Sequence, residues 1–547
     1  MVRLVLDMPQ MFATPPPLLT PLEGGDEAEV NSGDGSRKKT RVVTQTHTFT
    51  KLEVLTLVCG CFFGIFPDQD IVKQVRPELS PPSRKAGRRG NNDDDIIQFP
   101  YFTAVRMFSA PGNMGKMVVL KAQKLRCILQ YFLRVVPRMT SDPAALSAEV
   151  VDFTRVGVHV PGDEGRNRSE QTPQQLLEII GTTSDVDGPV QEAHDDVDTR
   201  PRLHAARCVS DTLIEDLDKH LQIDFANKFA GGGVLNSGCV QEEIRFLLSP
   251  ELLVSCLIFA KLEPHEAFVI HGTERYSAYQ GYGGSFVFGG NFQDTIRLIA
   301  QADGRLRREC VIVGIDATDY GSARVERQYT RAHVRRDLVK AYAGFAYPDA
   351  HDGEQCWPVA TGNWGCGVFQ GDRELKFLIQ WLAASLRHRE LVYVLFERDL
   401  DLQNKVNPLL TLATSPKARE WGRQSGGLAQ WLAEFLFDEL SVGRGMRGAQ
   451  SVLSRAATSL ERALSALQLP VGQDGDAEAK QQPEKSPQTH TTSPASSESK
   501  QSPVSTPPRS EDQADAAEPS EALKKKPKTM KKELHQRTMQ DFFAPKQ

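Results

Sequence analysis

Apolar runs long enough to cross a bilayer are missing from the 547-residue chain, since no window reaches about 20 consecutive apolar residues. The first 19 residues hold one arginine and the run Pro15, Pro16, Pro17 instead of a signal-peptide core, so a soluble, non-secreted protein is expected. Paired cysteines are missing as well. Cys59, Cys61, Cys127, Cys208, Cys239, Cys256, Cys310, Cys356 and Cys366 form an odd, scattered set without a CxxC motif. That pattern argues against a disulfide scaffold or a zinc ribbon, and the cysteines are expected to be reduced and mostly structural. A large charge of either sign is also lacking: 65 Lys and Arg against 70 Asp and Glu leave a net charge of -5. No global field drives binding to DNA or anionic lipid, so any nucleic-acid contact must be local. Hydrophobic residues, at 40%, fall below the usual range of roughly 45 to 50%. With 33 prolines and a mean hydropathy of -0.38, part of the chain is expected to be unstructured.

The missing apolar content is unevenly distributed. Residues 1–48 are rich in Pro, Gly, Ser and acids and read as a disordered arm. Residues 49–202 read as a mostly helical domain, with an apolar helix face over 124–133 broken by Pro137. Polar insertions at 78–95 and 162–202 read as exposed loops. From residue 203 to 468 short β-branched runs (268–270, 311–315, 391–396) alternate with helical segments, the pattern of an α/β layer with a parallel or mixed central sheet. One unit is legible in detail: a strand end at 358–361, a glycine-rich loop at 362–371, and a helix whose apolar face is Leu375, Leu378, Ile379, Leu382 and Leu386. Such a crossover places its loop at the carboxyl edge of the sheet, where ligands bind. Two further helices, marked by Trp431, Leu432 and Phe435 and by Leu453, Leu460 and Leu464, read as core packing. Residues 469–547 are Gln, Ser, Pro, Glu and Lys with few apolar residues, a disordered tail. No internal repeat is found.

Chemistry concentrates in residues 221–246, LQIDFANKFAGGGVLNSGCVQEEIRF. A short strand (Leu221, Ile223, Phe225) carries Asp224 and Asn227 near its end, where side chains can point into a cleft. Gly231, Gly232 and Gly233 allow positive φ and close approach to a ligand, with amide N–H groups available to phosphate. Gln241, Glu242 and Glu243 then open a helix whose apolar positions are Ile244, Leu247 and Leu248. Adjacent carboxylates on a helix diverge by about 100°, so the two acids should play different roles. A general acid needs a raised pKa, which burial and a neighbouring carboxylate supply and a helix N-terminus opposes. Closely spaced Glu pairs are also common on solvated helices, and the triple glycine upstream is what distinguishes this one. The glycine pairs at 283–284 and 289–290 lack the GxGxxG spacing of a dinucleotide fold.

The stretch resembles the signature of the poly(ADP-ribose) glycohydrolase family, GGG followed by a seven-residue spacer (234–240) and QEE. The resemblance continues through Arg245, Phe246 and Leu247, through Pro250, Glu251 and Leu252, and through the blocks 272–282 and 361–369. It covers roughly 125–396. It implies a macrodomain-type mixed sheet flanked by helices and preceded by a helical accessory domain. The implied reaction is hydrolysis of ribose-to-ribose O-glycosidic bonds in poly(ADP-ribose), with no metal or cofactor. In that reading Glu243 is the acid and base, Glu242 its ribose-holding partner, Asp224 the third acid and Asn227 a ribose ligand. The glycines 231, 232 and 233 and the loop Asn363, Trp364, Gly365, Cys366, Gly367, Val368, Phe369 clasp the diphosphate. Phe369 and Phe396 pack near ribose and adenine, Tyr282 holds adenine, Gln241 hydrogen-bonds nearby, and Ile214 and Glu215 line the adenine edge. Val368 and Gln370 stand where smaller residues are expected. The rival reading is a macrodomain that binds ADP-ribose without cleaving it.

At the end of the tail, Gln536, Met539, Phe542 and Phe543 fit the spacing of a sliding-clamp-binding box, a short helical turn presenting an apolar plug. Lys524, Lys525, Lys526 and Lys528 form a basic cluster that reads as a nuclear import signal or as a patch for nucleic acid or polymer. Beside a clamp box, import is the better reading, giving a nuclear protein recruited to replication or repair sites by the replication sliding clamp. Neither membrane association nor sequence-specific DNA binding is expected.

Overall fold

Alternate residues of the central strands enter two different cores, the period-2 signature of a sheet covered on both faces. In this computed structural model the residues described are 1–12, 14, 16–22, 41–66, 100–109, 115–159, 202–347, 356–425, 427–440 and 451–466. They contain strands β1 (Arg41–Thr50), β2 (Glu149–His159), β3 (Ala206–Val209), β4 (Leu221–Asp224), β5 (Glu266–His271), β6 (Ser277–Gln280), β7 (Val287–Asn291), β8 (Leu298–Ala300), β9 (Leu306–Arg308), β10 (Val311–Gly314), β11 (Val359–Thr361) and β12 (Leu391–Val394). Ten of them form one mixed sheet in the order β3-β12-β11-β4-β10-β5-β2-β9-β8, with β1 along β2. β3, β12, β11, β4 and β10 are mutually parallel; β5 runs antiparallel to both β10 and β2.

Val311 and Val313 of β10 face a core with the helices Arg331–Gly344 and Arg373–Leu386, while Ile312 faces the opposite core. β5 divides in the same way, with Ala267 and Val269 on one side and Phe268 and Ile270 on the other. The second core is closed by the helices Lys51–Phe62, Gly115–Ser141 and Gln241–Leu248. The unit expected at 358–386 is present as β11, a loop and a helix, and it returns to β12 beside β11 as a parallel crossover.

Two expectations are corrected. The first arm is not unstructured throughout: Val2–Leu6 is a helix with Leu4 buried, Leu19 is buried and bridges Phe259, and 41–50 is the long strand β1. The arm's few apolar residues are enough to seat it on the second core. β1 and β2, both from the N-terminal region, belong to the central sheet, so the helical region and the region after 202 pack as parts of one compact unit, Met1–Val471. Pro137 does not end its helix, which continues to Ser141. The insertions expected at 78–95 and 162–202 lie outside the described residues, apart from Arg202, as does the tail from 467 onward. All nine cysteines are free. Among the described residues no helix is long and apolar enough to cross a membrane.

The helical region is joined to the sheet layer by a buried ion pair. Lys51 begins its helix just after the capping box formed by Thr50 and Glu53. Its Nζ donates to both oxygens of Glu251, at 2.6 and 2.7 Å, with both side chains buried. Glu251 also accepts from Tyr276 Oη at 2.6 Å and from the Glu274 amide at 2.9 Å. Removing one partner of such a pair strands a charge in a low-dielectric interior. Lys51→Met is therefore expected to destabilise the protein by about 3 to 5 kcal/mol, read as a lowered denaturant midpoint; an unchanged midpoint would show that the pair does not hold the helix in place.

Candidate active site

The carboxyl ends of the parallel strands open on a cleft of about 490 Å³. Its walls come from the segment after β3 (Leu213, Ile214, Glu215), the end of β4 (Phe225), the start of the helix Gln241–Leu248 (Val240, Gln241, Ile244, Arg245), the loop after β11 and the end of β12 (Val394, Leu395, Phe396). This is the edge at which an open α/β sheet binds ligands. Gln241 ties its helix to β4, since its side chain accepts from the Phe225 amide at 2.7 Å and donates to the Ile223 carbonyl at 3.0 Å. Its own amide donates to Tyr282 Oη at 3.1 Å, and the Tyr282 ring meets Phe396 edge-on at 5.9 Å between centroids.

The two glutamates reach the glycine loop by separate sets of hydrogen bonds. Glu242 accepts from the amides of Asn227 (2.9 Å) and Gly231 (2.7 Å). Glu243 accepts from Gly233 (2.9 Å) and Val240 (2.8 Å). The close approach requires glycine. A Cβ on Gly232, where φ is +49°, would lie 2.6 Å from Glu242 Oε2 and 2.8 Å from Glu243 Oε1. Asp224 is wholly buried, and neither of its oxygens has a hydrogen-bond partner. Burial, then the Glu243 charge, pushes its carboxyl well above the usual range. Glu242 is pushed the same way by burial and by the charges of Asp224 and Glu243, against its two amide donors. Burial and mutual charge thus raise both Asp224 and Glu242.

The triple glycine also works differently from expectation. Its three amides donate to Glu242, to the Phe229 carbonyl (3.0 Å) and to Glu243, so they grip the acids and leave no N–H for a diphosphate. The loop after β11 is different: among the described residues no acceptor faces the amides of Gly367, Val368 and Phe369, the arrangement that binds phosphate oxygens.

Of the anticipated residues, Ile214, Glu215, Gln241, Tyr282, Asn363, Gly365, Cys366, Gly367, Val368, Phe369 and Phe396 line the cleft. Trp364 does not. It is buried in the core, its Nε1 donates to the Ile315 carbonyl at 2.9 Å, and Lys376 lies 3.9 Å from its ring centre, so it braces the loop from behind. Asn227 lies outside the wall, its Oδ1 accepting from the Phe229 amide and closing its own turn. Asp224, Glu242 and Glu243 are buried and do not line the cleft themselves, though Asp224 precedes the lining residue Phe225 and the two glutamates follow the lining residues Val240 and Gln241. Val368 stands on the cleft wall but is 80% exposed, and Gln370 is not among the lining residues. Sequence reasoning missed Tyr279, Arg373, Arg398 and Asp399. Tyr279 Oη donates to Glu215 at 2.9 Å, and Asp399 accepts from Asn363 at 2.9 Å and from Arg373 at 2.7 Å. Arg373, first in its helix after a glycine loop, carried the only local signal. No group of three or more His, Cys, Asp or Glu among the described residues is arranged to hold a metal ion.

Two models of one family match the chain: the macro domain fold of poly(ADP-ribose) glycohydrolase over residues 195–403, and the helical domain of the same family over residues 1–155. Poly(ADP-ribose) glycohydrolase 1 of Arabidopsis thaliana is 34% identical over 410 residues, 63% of this chain and 62% of that protein. Poly(ADP-ribose) glycohydrolase 2 of Caenorhabditis elegans is 38% identical over 216 residues, 38% of this chain and 43% of that protein. The chain thus spans less than two thirds of these curated relatives. A solved poly(ADP-ribose) glycohydrolase from Thermomonospora curvata covers 35% of this chain and 62% of its own at 14% identity, and its TM-score of 0.19 is too low to bear on the fold.

Asp224 supplies a test of the buried cluster. A carboxyl whose folded pKa is raised favours the folded state most below the unfolded value, and that contribution is lost as pH rises through the folded value. Asp224→Asn removes the loss. The variant is expected to gain denaturant midpoint over the parent at pH 8, with the gain shrinking as pH falls toward the ordinary carboxyl value of about 4; a difference independent of pH would show that Asp224 does not titrate abnormally.

Proposed function

We propose that this chain, which belongs to the poly(ADP-ribose) glycohydrolase family, hydrolyses the ribose-to-ribose O-glycosidic bonds of poly(ADP-ribose) and releases ADP-ribose. The observation that carries the reading is the glycine clasp: two glutamates at the start of one helix, each held by main-chain amides, following the residues Val240 and Gln241 that line a cleft at the sheet's carboxyl edge. Tyr282 and Phe396, 40% and 44% exposed, offer aromatic surface to an adenine, with Ile214 and Glu215 beside them. The free amides of Gly367, Val368 and Phe369 suit the diphosphate. That orientation directs the terminal ribose toward Val240 and the acids that follow it.

Glycoside cleavage passes through an oxocarbenium-like transition state, in which the departing oxygen needs a proton while positive charge grows on the sugar. Glu243 protonates the departing ribose hydroxyl and then activates water. Glu242 holds the ribose hydroxyls in register. The diphosphate in its amide cradle stabilises the sugar's charge electrostatically. The rival reading, an ADP-ribose binder without hydrolysis, draws on one observation: the cleft wall runs through Val240 and Gln241, and the carboxylates do not line it.

Incubating the purified chain with labelled poly(ADP-ribose) in the presence of EDTA separates the two. Release of ADP-ribose is expected; binding of ADP-ribose without release supports the rival. Glu243→Gln is expected to keep ADP-ribose binding and to lose about 10³-fold or more in turnover, and undiminished turnover would remove Glu243 from the mechanism.

The tail motifs extend the proposal to place and partner, on sequence alone. Gln536, Met539, Phe542 and Phe543 dock on the replication sliding clamp, and Lys524, Lys525, Lys526 and Lys528 direct nuclear import. A peptide covering 530–547 should bind the clamp in titration calorimetry, and replacing Phe542 and Phe543 by Ala should weaken it by about 30-fold or more. A fluorescent fusion carrying Ala at the four lysines should leave the nucleus. Equal clamp affinity, or unchanged nuclear signal, removes the corresponding role.

A further inference from the structure

The helix Gly115–Ser141 sends one charged side chain into the floor of the glycine loop. Lys124 is fully buried, and its Nζ donates to the carbonyl oxygens of Gly238 (2.5 Å), Asn236 (2.9 Å) and Gly233 (3.4 Å). An ammonium has three donors, and here three main-chain acceptors from one loop meet them. Two of those acceptors belong to residues that touch Glu243. The Gly233 amide donates to Glu243 Oε1, and Gly238 packs so closely that a Cβ there would lie 2.4 Å from the same oxygen. The Gly238 amide also closes the loop on the Gly233 carbonyl at 3.0 Å.

We propose that Lys124 is a positioning residue for the hydrolysis, its ammonium gathering the carbonyls of residues 233, 236 and 238 so that the Gly233 amide holds the Glu243 carboxylate in place. The inference rests on the glycohydrolase reading and gives the helical region a part in the reaction beyond burying apolar surface. The same helix buries Cys127, Ile128 and Tyr131 in the hydrophobic core, and its other buried lysine, Lys121, donates to the carbonyls of Arg106 and Ser109; of the two lysines Lys124 is the one that reaches the loop touching Glu243.

The protonated lysine makes the contacts, so its titration should appear in the reaction. The titratable groups facing it are Glu243 on its own helix, Cys239 on the loop, and Lys121 and Cys127 on the lysine's helix. Burial lowers the Lys124 pKa to about 8, with the Cys239 and Glu243 charges opposing. Turnover should therefore fall on the alkaline side with a midpoint near that value. Burial raises Cys239 to about 11 and Cys127 to about 12, and Tyr282 is pushed above its ordinary value; Lys121 is lowered by burial as Lys124 is, so loss of the limb on replacing Lys124 is what assigns it.

The test measures kcat against pH on poly(ADP-ribose), and ADP-ribose affinity by calorimetry, for the full chain, Lys124→Met and Lys124→Arg. In Lys124→Met, kcat at neutral pH is expected to fall about 10- to 100-fold while ADP-ribose affinity stays within about threefold. The alkaline limb should vanish in that variant. Lys124→Arg should recover part of the rate and show no limb near pH 8, because a guanidinium does not deprotonate there. Lys124→Met with parental kcat, or Lys124→Arg that keeps the parental alkaline limb, overturns the assignment, and the Arg variant, which preserves the charge, decides if Lys124→Met fails to fold. An active parent with an insensitive Lys124 refutes this inference alone; an inactive parent refutes the glycohydrolase reading with it.

Discussion

Main-chain amides holding two buried carboxylates are the constraint on which the rest of the site depends. Asn227, Gly231, Gly233 and Val240 each point an N–H at Glu242 or Glu243. Main-chain donors have no rotamer freedom to lose, so a loop that presents them fixes the acids more tightly than side-chain partners would. The sequence requirement follows from distance. Gly232 lies so near both carboxylates that any side chain would displace them, and Gly231 holds φ of +86°.

The clasp works against burial, and the balance differs along the cluster. Asp224, on the last residue of β4, has no donor at all and is driven toward the neutral acid. Glu242 has two donors and its carboxyl is still pushed above the usual range, because burial and two neighbouring acids outweigh them. Three acids drawn together in this way cannot all ionise, so at least one proton stays within the cluster. A site that must first give a proton and then take one from water benefits from such a store.

Around this centre the molecule is organised in two layers of support. The loop after β11 is braced from the core by Trp364 and by Lys376, which pairs with Asp337 at 2.5 Å. The glycine loop is braced from the helical region through Lys124, and that region is anchored to the sheet layer through Lys51 and Glu251. Because β1 and β2 belong to the main sheet, the helices between and after them are fixed relative to the cleft. The helical region and the sheet layer therefore share one core.

Much of this was determined by the sequence. The alternation of β-branched runs and helical segments after residue 203 gave the sheet, because period-2 and period-3.6 burial write themselves into residue order. The blocks at 231–233, 241–243 and 361–369 gave the site, because glycine is forced wherever a backbone must come close to an acid or a ligand. Sequence order could not decide which partner each glycine amide would take: of the three expected on a diphosphate, those of Gly231 and Gly233 hold Glu242 and Glu243 and that of Gly232 closes on the Phe229 carbonyl. Nor could it show that Trp364 faces inward, that burial raises Asp224 and Glu242, or that Lys124, over a hundred residues upstream, reaches the loop. Hydrogen-bond pairing and desolvation depend on which distant segments share a neighbourhood, and only the folded chain brings those segments together.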